Sequence, residues 1–114
     1  MPDTTAPNIL SDLSQNIFQF LGIAKKAGKI INGYNKCEDA ITNRKIYLLI
    51  ISEEVSENTK NKFNNYCLKY KIPVISGCSK EEMGNHIGLS EINLIGISDK
   101  RMADQLIKLW QEKE

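Results

Sequence analysis

Enzyme chemistry finds little to work with in these 114 residues. His86 is the single histidine. Its neighbours in "SKEEMGNHIG" supply no nucleophile and no second metal ligand, so a surface or packing role is expected of it. The carboxylates come as adjacent pairs, Glu38–Asp39, Glu53–Glu54 and Glu81–Glu82. Neighbouring positions on a helix point to different faces, which suits solvated helix ends better than an acid–base dyad. Cys37, Cys67 and Cys78 are odd in number, and their spacing matches no zinc or redox motif. Small buried side chains in a reducing compartment account for them better than reactive thiols do. Gly28 and Gly33 lie among lysines but complete neither of the familiar glycine-rich phosphate loops. No catalytic residue, metal or cofactor is expected.

Charge placement says more. Fifteen basic against fourteen acidic residues leave a net charge of +1, so any nucleic-acid binding must come from local clustering. Between Asp12 and Glu38 the chain holds no acid, yet it carries Lys25, Lys26, Lys29 and Lys36. The first two close a helix, where cations favour the dipole. Lys29 and Lys36 instead bracket a turn that opens the next helix. The first amides of that helix have no internal partners, and Gly33 before them permits close approach of a phosphate or a base edge. Lysines beside such a helix start suit a polyanion backbone, with Asn35 placed to read a base edge.

The surrounding elements are legible from periodicity. Leu13, Ile17, Phe20, Leu21 and Ala24 form the stripe of an amphipathic helix from 11 to 27, capped by Ser11 or Asp12 and ended at Gly28. "KII" is a short strand, and a second helix runs from 34 to 42 with Cys37, Ala40 and Ile41 inward. "KIYLLIIS" is apolar on both faces and belongs at the centre of a sheet. A third helix follows Ser56, with Phe63, Tyr66, Cys67 and Tyr70 inward. "IPVIS" is a strand, and Ser79 with Glu82 begins a fourth helix by the capping-box pattern. "INLIGIS" is the last strand. The last helix, "DKRMADQLIKLW", puts Met102, Leu106, Leu109 and Trp110 on one face. Strands alternating with helices imply an α/β layered domain over residues 11–114, with helices on both faces. Residues 1–10 read as a flexible tail without the features of a signal peptide, and no apolar run suits a bilayer. A cytoplasmic monomer is expected.

In order and spacing, "LGIAKKAGKIINGYNKCEDAI", "KIYLLIISEEVSENTKNKF", "YKIPVI", "SKEEMGNHIG" and "LIGISDKRMADQLI" resemble the kink-turn-binding L-seven-Ae/L-thirty-e ribosomal-protein superfamily, most closely its small bacterial members of the YlxQ type. The resemblance covers roughly residues 13–112. It implies a three-layer α/β/α sandwich with a mixed four-stranded sheet, no enzymatic activity, and binding to structured RNA. In that family the second helix opens with Gly-Thr-Asn-Glu and a lysine three residues on, which contact sheared G·A pairs. Here Gly33 and Asn35 match, while Tyr34, Lys36 and Asp39 replace the threonine, the glutamate and the lysine. Lysine only donates where glutamate accepts, so the resemblance carries RNA binding further than it carries kink-turn specificity.

The family's second contact, a loop sheltering a flipped base, corresponds to Gly88, Leu89, Ser90 and Glu91 within "GLSEIN". Leu89 would cover an unstacked base, and Ser90 would bond to backbone or ribose. The expected site therefore joins Lys26, Lys29, Gly33, Tyr34, Asn35 and Lys36 to Gly88–Glu91. The expected function is non-catalytic recognition of kink-turn-like or ribosomal RNA in association with the ribosome. The competing reading is a protein-interaction adaptor that keeps the fold and has lost the RNA site.

Overall fold

The computed structural model describes residues 17–113. The expected tail, the caps Ser11 and Asp12, and Leu13 lie outside the described residues. The first helix, α1, is described over 17–26. Then follow β1 (Ile30–Asn32), α2 (Tyr34–Thr42), β2 (Leu48–Ser52), α3 (Glu57–Tyr70), β3 (Val74–Cys78), α4 (Lys80–Asn85), β4 (Leu94–Ile97) and α5 (Lys100–Lys113). The four strands form one sheet in the order β1-β4-β2-β3. β2 and β3 are parallel, whereas β4 runs antiparallel to both β1 and β2. The sheet is mixed, as the resemblance implied.

Two cores make the three layers. All five residues of β2 are buried, and they alternate as strand geometry requires. Leu48 and Ile50 face a cluster with Ile17 and Leu21 of α1, Met83 of α4 and Leu106 of α5. Leu49 and Ile51 face the other side, with Cys37 and Ile41 of α2 and Phe63 and Cys67 of α3. The three thiols are buried, and none of them is in a disulfide among the described residues. Burial alone pushes Cys67 up to about 11, and burial is the main cause that takes Cys37 to about 12. Both are held as thiols at neutral pH.

Local signals placed the helix ends well. The Ser56 and Ser79 hydroxyls accept from the amides of Thr59 and Glu82 at 3.2 and 3.1 Å. Gly28 ends α1 at φ 73°. Strand ends moved. β3 begins at Val74 rather than Ile72, because the Ile72 amide turns back to the Cys67 carbonyl at 2.9 Å to finish α3. β4 spans Leu94–Ile97, shorter than "INLIGIS" at both ends. Ser98 donates to the Lys29 carbonyl, and Asn93 is drawn into the bond with Ser52 described below. His86 stacks on buried Phe18 with centroids 4.9 Å apart, a packing role.

Candidate nucleic-acid interface

Three chain segments meet at one end of the sheet: the start of α2, the start of α3 and the loop before β4. They line a cleft of about 270 Å³ with Gly33, Tyr34, Val55, Thr59, Ile92 and Asn93 among its walls. Gly33 is the N-cap of α2 at φ 97°, ψ 163°, and no side chain caps the helix. That conformation is costly for any residue with a Cβ, and it leaves the first amides of α2 open to a ligand. Asn35 and Lys36 stand exposed on the same first turn.

The loop before β4 is held by close packing onto α4. A Cβ on Gly84 would lie 2.6 Å from the Glu91 Cα, so only glycine allows this approach. Lys80 adds an ion pair to Glu91 at 3.3 Å. Leu89, Ser90 and Glu91 stay exposed. The buried Ser52 hydroxyl at the end of β2 donates to Asn93 Oδ1 at 2.5 Å. Among the described residues the Nδ2 hydrogens of Asn93 have no protein partner, and they lie beside the apolar Val55, Ile92 and Leu94. Donors next to an apolar wall suit an unstacked base, whose edge accepts and whose face is hydrophobic.

Tyr34 forms the α2 wall and is tied down from below. Its ring meets Phe63 edge-on at 5.2 Å, and its hydroxyl accepts from Lys62 Nζ at 2.7 Å. Lys62 also pairs with Glu38 at 2.8 Å, and the Tyr66 hydroxyl donates to the same carboxylate at 2.6 Å. The hydrogen bond from Lys62, then that from Tyr66, hold Glu38 below its ordinary value of 4.5. A carboxyl depressed on folding stabilises the protein above that ordinary value, and the effect is lost as pH falls through the folded value. Glu38→Gln is therefore expected to lower the melting temperature at neutral pH, with the gap to wild type closing on acidification below 4.5. A gap unchanged across that range would remove Glu38 from the network.

The expected site residues do not all gather here. Gly33 and Tyr34 share the cleft with the loop before β4, which contributes Ile92 and Asn93 rather than Gly88–Glu91, and Asn35 and Lys36 stand exposed on the first turn of α2 outside the lining. Lys26 and Lys29 lie elsewhere. The Lys29 carbonyl accepts from the Ser98 amide after β4, whereas the Gly33 amide donates to the Leu94 carbonyl at its beginning. A strand advances about 3.3 Å per residue, so β1 carries the chain across the sheet between Lys29 and Gly33. Lys29 does not bracket the turn that opens α2, and of the expected lysines Lys36 alone stands there. Lys60 and Lys62 of α3 lie at the same end, together with the exposed carboxylates Glu53, Glu54, Glu57 and Glu91. Lys62 and Thr59 were not among the expected site residues, and Asn93 stood only as the last residue of the segment "GLSEIN", with no role assigned to it. Asparagine is disfavoured within strands, and that was the available signal for Asn93.

The fold and site define a class: an α/β/α domain with an open, donor-lined cleft at a helix start. Among the described residues no group of side chains could hold a metal, and no helix is long and apolar enough to cross a membrane. The family model for the "Ribosomal protein L7Ae/L30e/S12e/Gadd45 family" matches residues 15–106, and the chain belongs to that family. The family is non-catalytic. RNA-binding protein YlxQ of Bacillus subtilis (strain 168) is 30% identical over 92 residues, covering 81% of this chain and 92% of that protein. RNA-binding protein YlxQ of Enterococcus faecium is 30% identical over 95 residues, 83% of this chain and 91% of that one. A Bacillus halodurans protein of unknown function has a solved structure similar at TM-score 0.81 and 28% identity, over 83% and 96% of the two chains. The Giardia lamblia 15.5kD RNA binding protein matches at TM-score 0.73 and 15% identity, over 98% and 92%. At that identity the likeness concerns the fold alone.

Proposed function

We propose that this protein binds structured RNA, without catalysis, at the cleft where α2 begins. The observation that carries the reading is one cleft, walled by Tyr34, Val55 and Ile92, that the uncapped start of α2 shares with the Asn93 side chain, with Asn35 exposed on the same first turn of the helix. Its family and two relatives named as RNA-binding proteins support RNA as the ligand. An extruded base would sit against Ile92 and Val55, with Tyr34 as the opposite wall. Helix amides and asparagines would fix its edge, and Leu89 would shield it from water. The ligand is a kink-turn-like or ribosomal RNA, met on the ribosome in the cytoplasm.

Mobility-shift titrations with a kink-turn stem, ribosomal RNA fragments and a plain duplex test this at fixed salt. A distorted RNA is expected to bind at least about tenfold tighter than the duplex, the discrimination that one good base-edge contact supplies. Equal affinity for all three would remove the cleft from recognition. Lys36→Glu with Asp39→Lys keeps net charge constant and is expected to raise kink-turn affinity. The carboxylates around the cleft favour a second reading, an adaptor that receives a basic protein segment. Purified protein free of nucleic acid, with no affinity for any of the three RNAs, would select it.

A further inference from the structure

We propose that the opposite end of the sheet is a second nucleic-acid surface, one that grips the phosphate backbone of unstructured RNA. This goes beyond the α2 cleft and does not depend on it. Four connections converge there, stitched by backbone bonds. The Ser98 amide donates to the Lys29 carbonyl at 2.9 Å, Tyr47 to Ile97 at 2.9 Å and Leu49 to Pro73 at 3.0 Å. They gather Lys29, Arg44, Lys45, Lys69, Lys71 and Lys100 at one end of a protein whose net charge is only +1.

A cleft of about 300 Å³ opens among them, lined by Arg44, Tyr47, Tyr70, Lys71 and Lys100. Of the described residues in its wall Asp104 is the one carboxylate, and it pairs with Lys100 at 3.2 Å. Among the described residues Arg44 and Lys71 have no ion-pair partner. The Arg44 guanidinium lies 5.4 Å from the Tyr70 ring centroid and Lys69 Nζ 5.5 Å from the same ring, while Tyr47 is 43% exposed.

Helix ends explain cations in general, since α1, α2 and α3 all finish here and their dipoles favour positive charge. They do not explain the backbone. Arg44 and Lys71 each adopt φ 58°, left-handed positions following α2 and α3. Such a position favours glycine, and glycine occupies it after α1 and α4, at Gly28 and Gly88. The two helix ends that keep a cation against that preference are the two that line the cleft. Strain retained at specific residues points to a use for their side chains. Spaced cations beside an open phenol ring match a polynucleotide strand, with phosphates on the cations and a base stacked on Tyr47. An acidic peptide would satisfy the cations but leave the Tyr47 ring without a partner.

The test follows fluorescein-labelled oligouridine by anisotropy across a salt series, using the full chain. Arg44→Gly with Lys71→Gly removes both cations while giving the backbone its preferred residue, so the variant's melting temperature is expected to hold or rise. Its affinity should fall about tenfold, and the salt slope should drop by about 1.4, the value for two phosphate contacts on a single strand. Tyr47→Ala should weaken binding without changing the slope. A double variant matching wild type in affinity and slope would overturn the proposal, as would a wild-type protein with no affinity for oligouridine. Displacement by polyglutamate at equal charge concentration would assign the surface to acidic proteins instead. Because oligouridine has no fold for the α2 cleft to select, failure here leaves the structured-RNA titrations to be judged separately.

Discussion

Phe63→Ala is expected to cost about 3–5 kcal/mol of folding stability, the range for emptying a fully buried aromatic site. Phe63 has no exposed surface and joins both sides of the α2–α3 contact. Its ring meets Tyr34 edge-on at 5.2 Å and Tyr66 at 5.8 Å. The total stability of a domain is about 5–15 kcal/mol, so this one change consumes a large share of it. Urea denaturation reads the effect directly. Phe63→Leu keeps part of the volume and should unfold at an intermediate midpoint, which leaves a folded variant for binding assays. In that variant the Tyr34 wall loses the ring beneath it, and affinity for structured RNA should fall with no change in any residue of the cleft. An alanine variant losing less than about 1 kcal/mol would contradict the packing described for this core.

Asn35→Ala and Asn93→Ala are each expected to cost about 1–3 kcal/mol on the preferred structured RNA and much less on plain duplex. The salt slope should not change, since neither side chain neutralises a phosphate. Asn93 needs a further control, because its loss strands the buried Ser52 hydroxyl that now donates to it at 2.5 Å. Leaving that hydroxyl unpaired destabilises the fold by about 1–3 kcal/mol, whereas removing both partners is close to neutral. Ser52→Ala combined with Asn93→Ala should therefore recover stability without recovering RNA affinity. If affinity returns with stability, Asn93 serves the fold alone and the free Nδ2 donors are not part of recognition.

Several features of this protein were settled by its sequence, and they are the local ones. The bounds of α2, the burial of Cys37, Ala40 and Ile41, and the Ser56 and Ser79 caps follow from spacings of three and four residues along one helix. Leu48–Ile51 alternate between two cores and are apolar at every position, so the central place of β2 was readable as well. The alternation of strand and helix set the layers, and the quoted motifs pointed to the family.

Tertiary structure alone assembled the candidate cleft. Asn93 enters it through a bond to Ser52 that spans 41 positions, and Lys62 pins Tyr34 across 28. No local rule contains such pairs, because they form only when separate loops reach the same end of a sheet. Lys29 and Lys36 illustrate the converse. Seven positions apart in the sequence, they looked like one basic turn. The three residues of β1 between Lys29 and Gly33 run along the sheet, and a strand extends about 3.3 Å with each residue. That extension carried Lys29 to the opposite end, where Arg44, Lys71 and Lys100 line a cleft of their own, and left Lys36 at the start of α2.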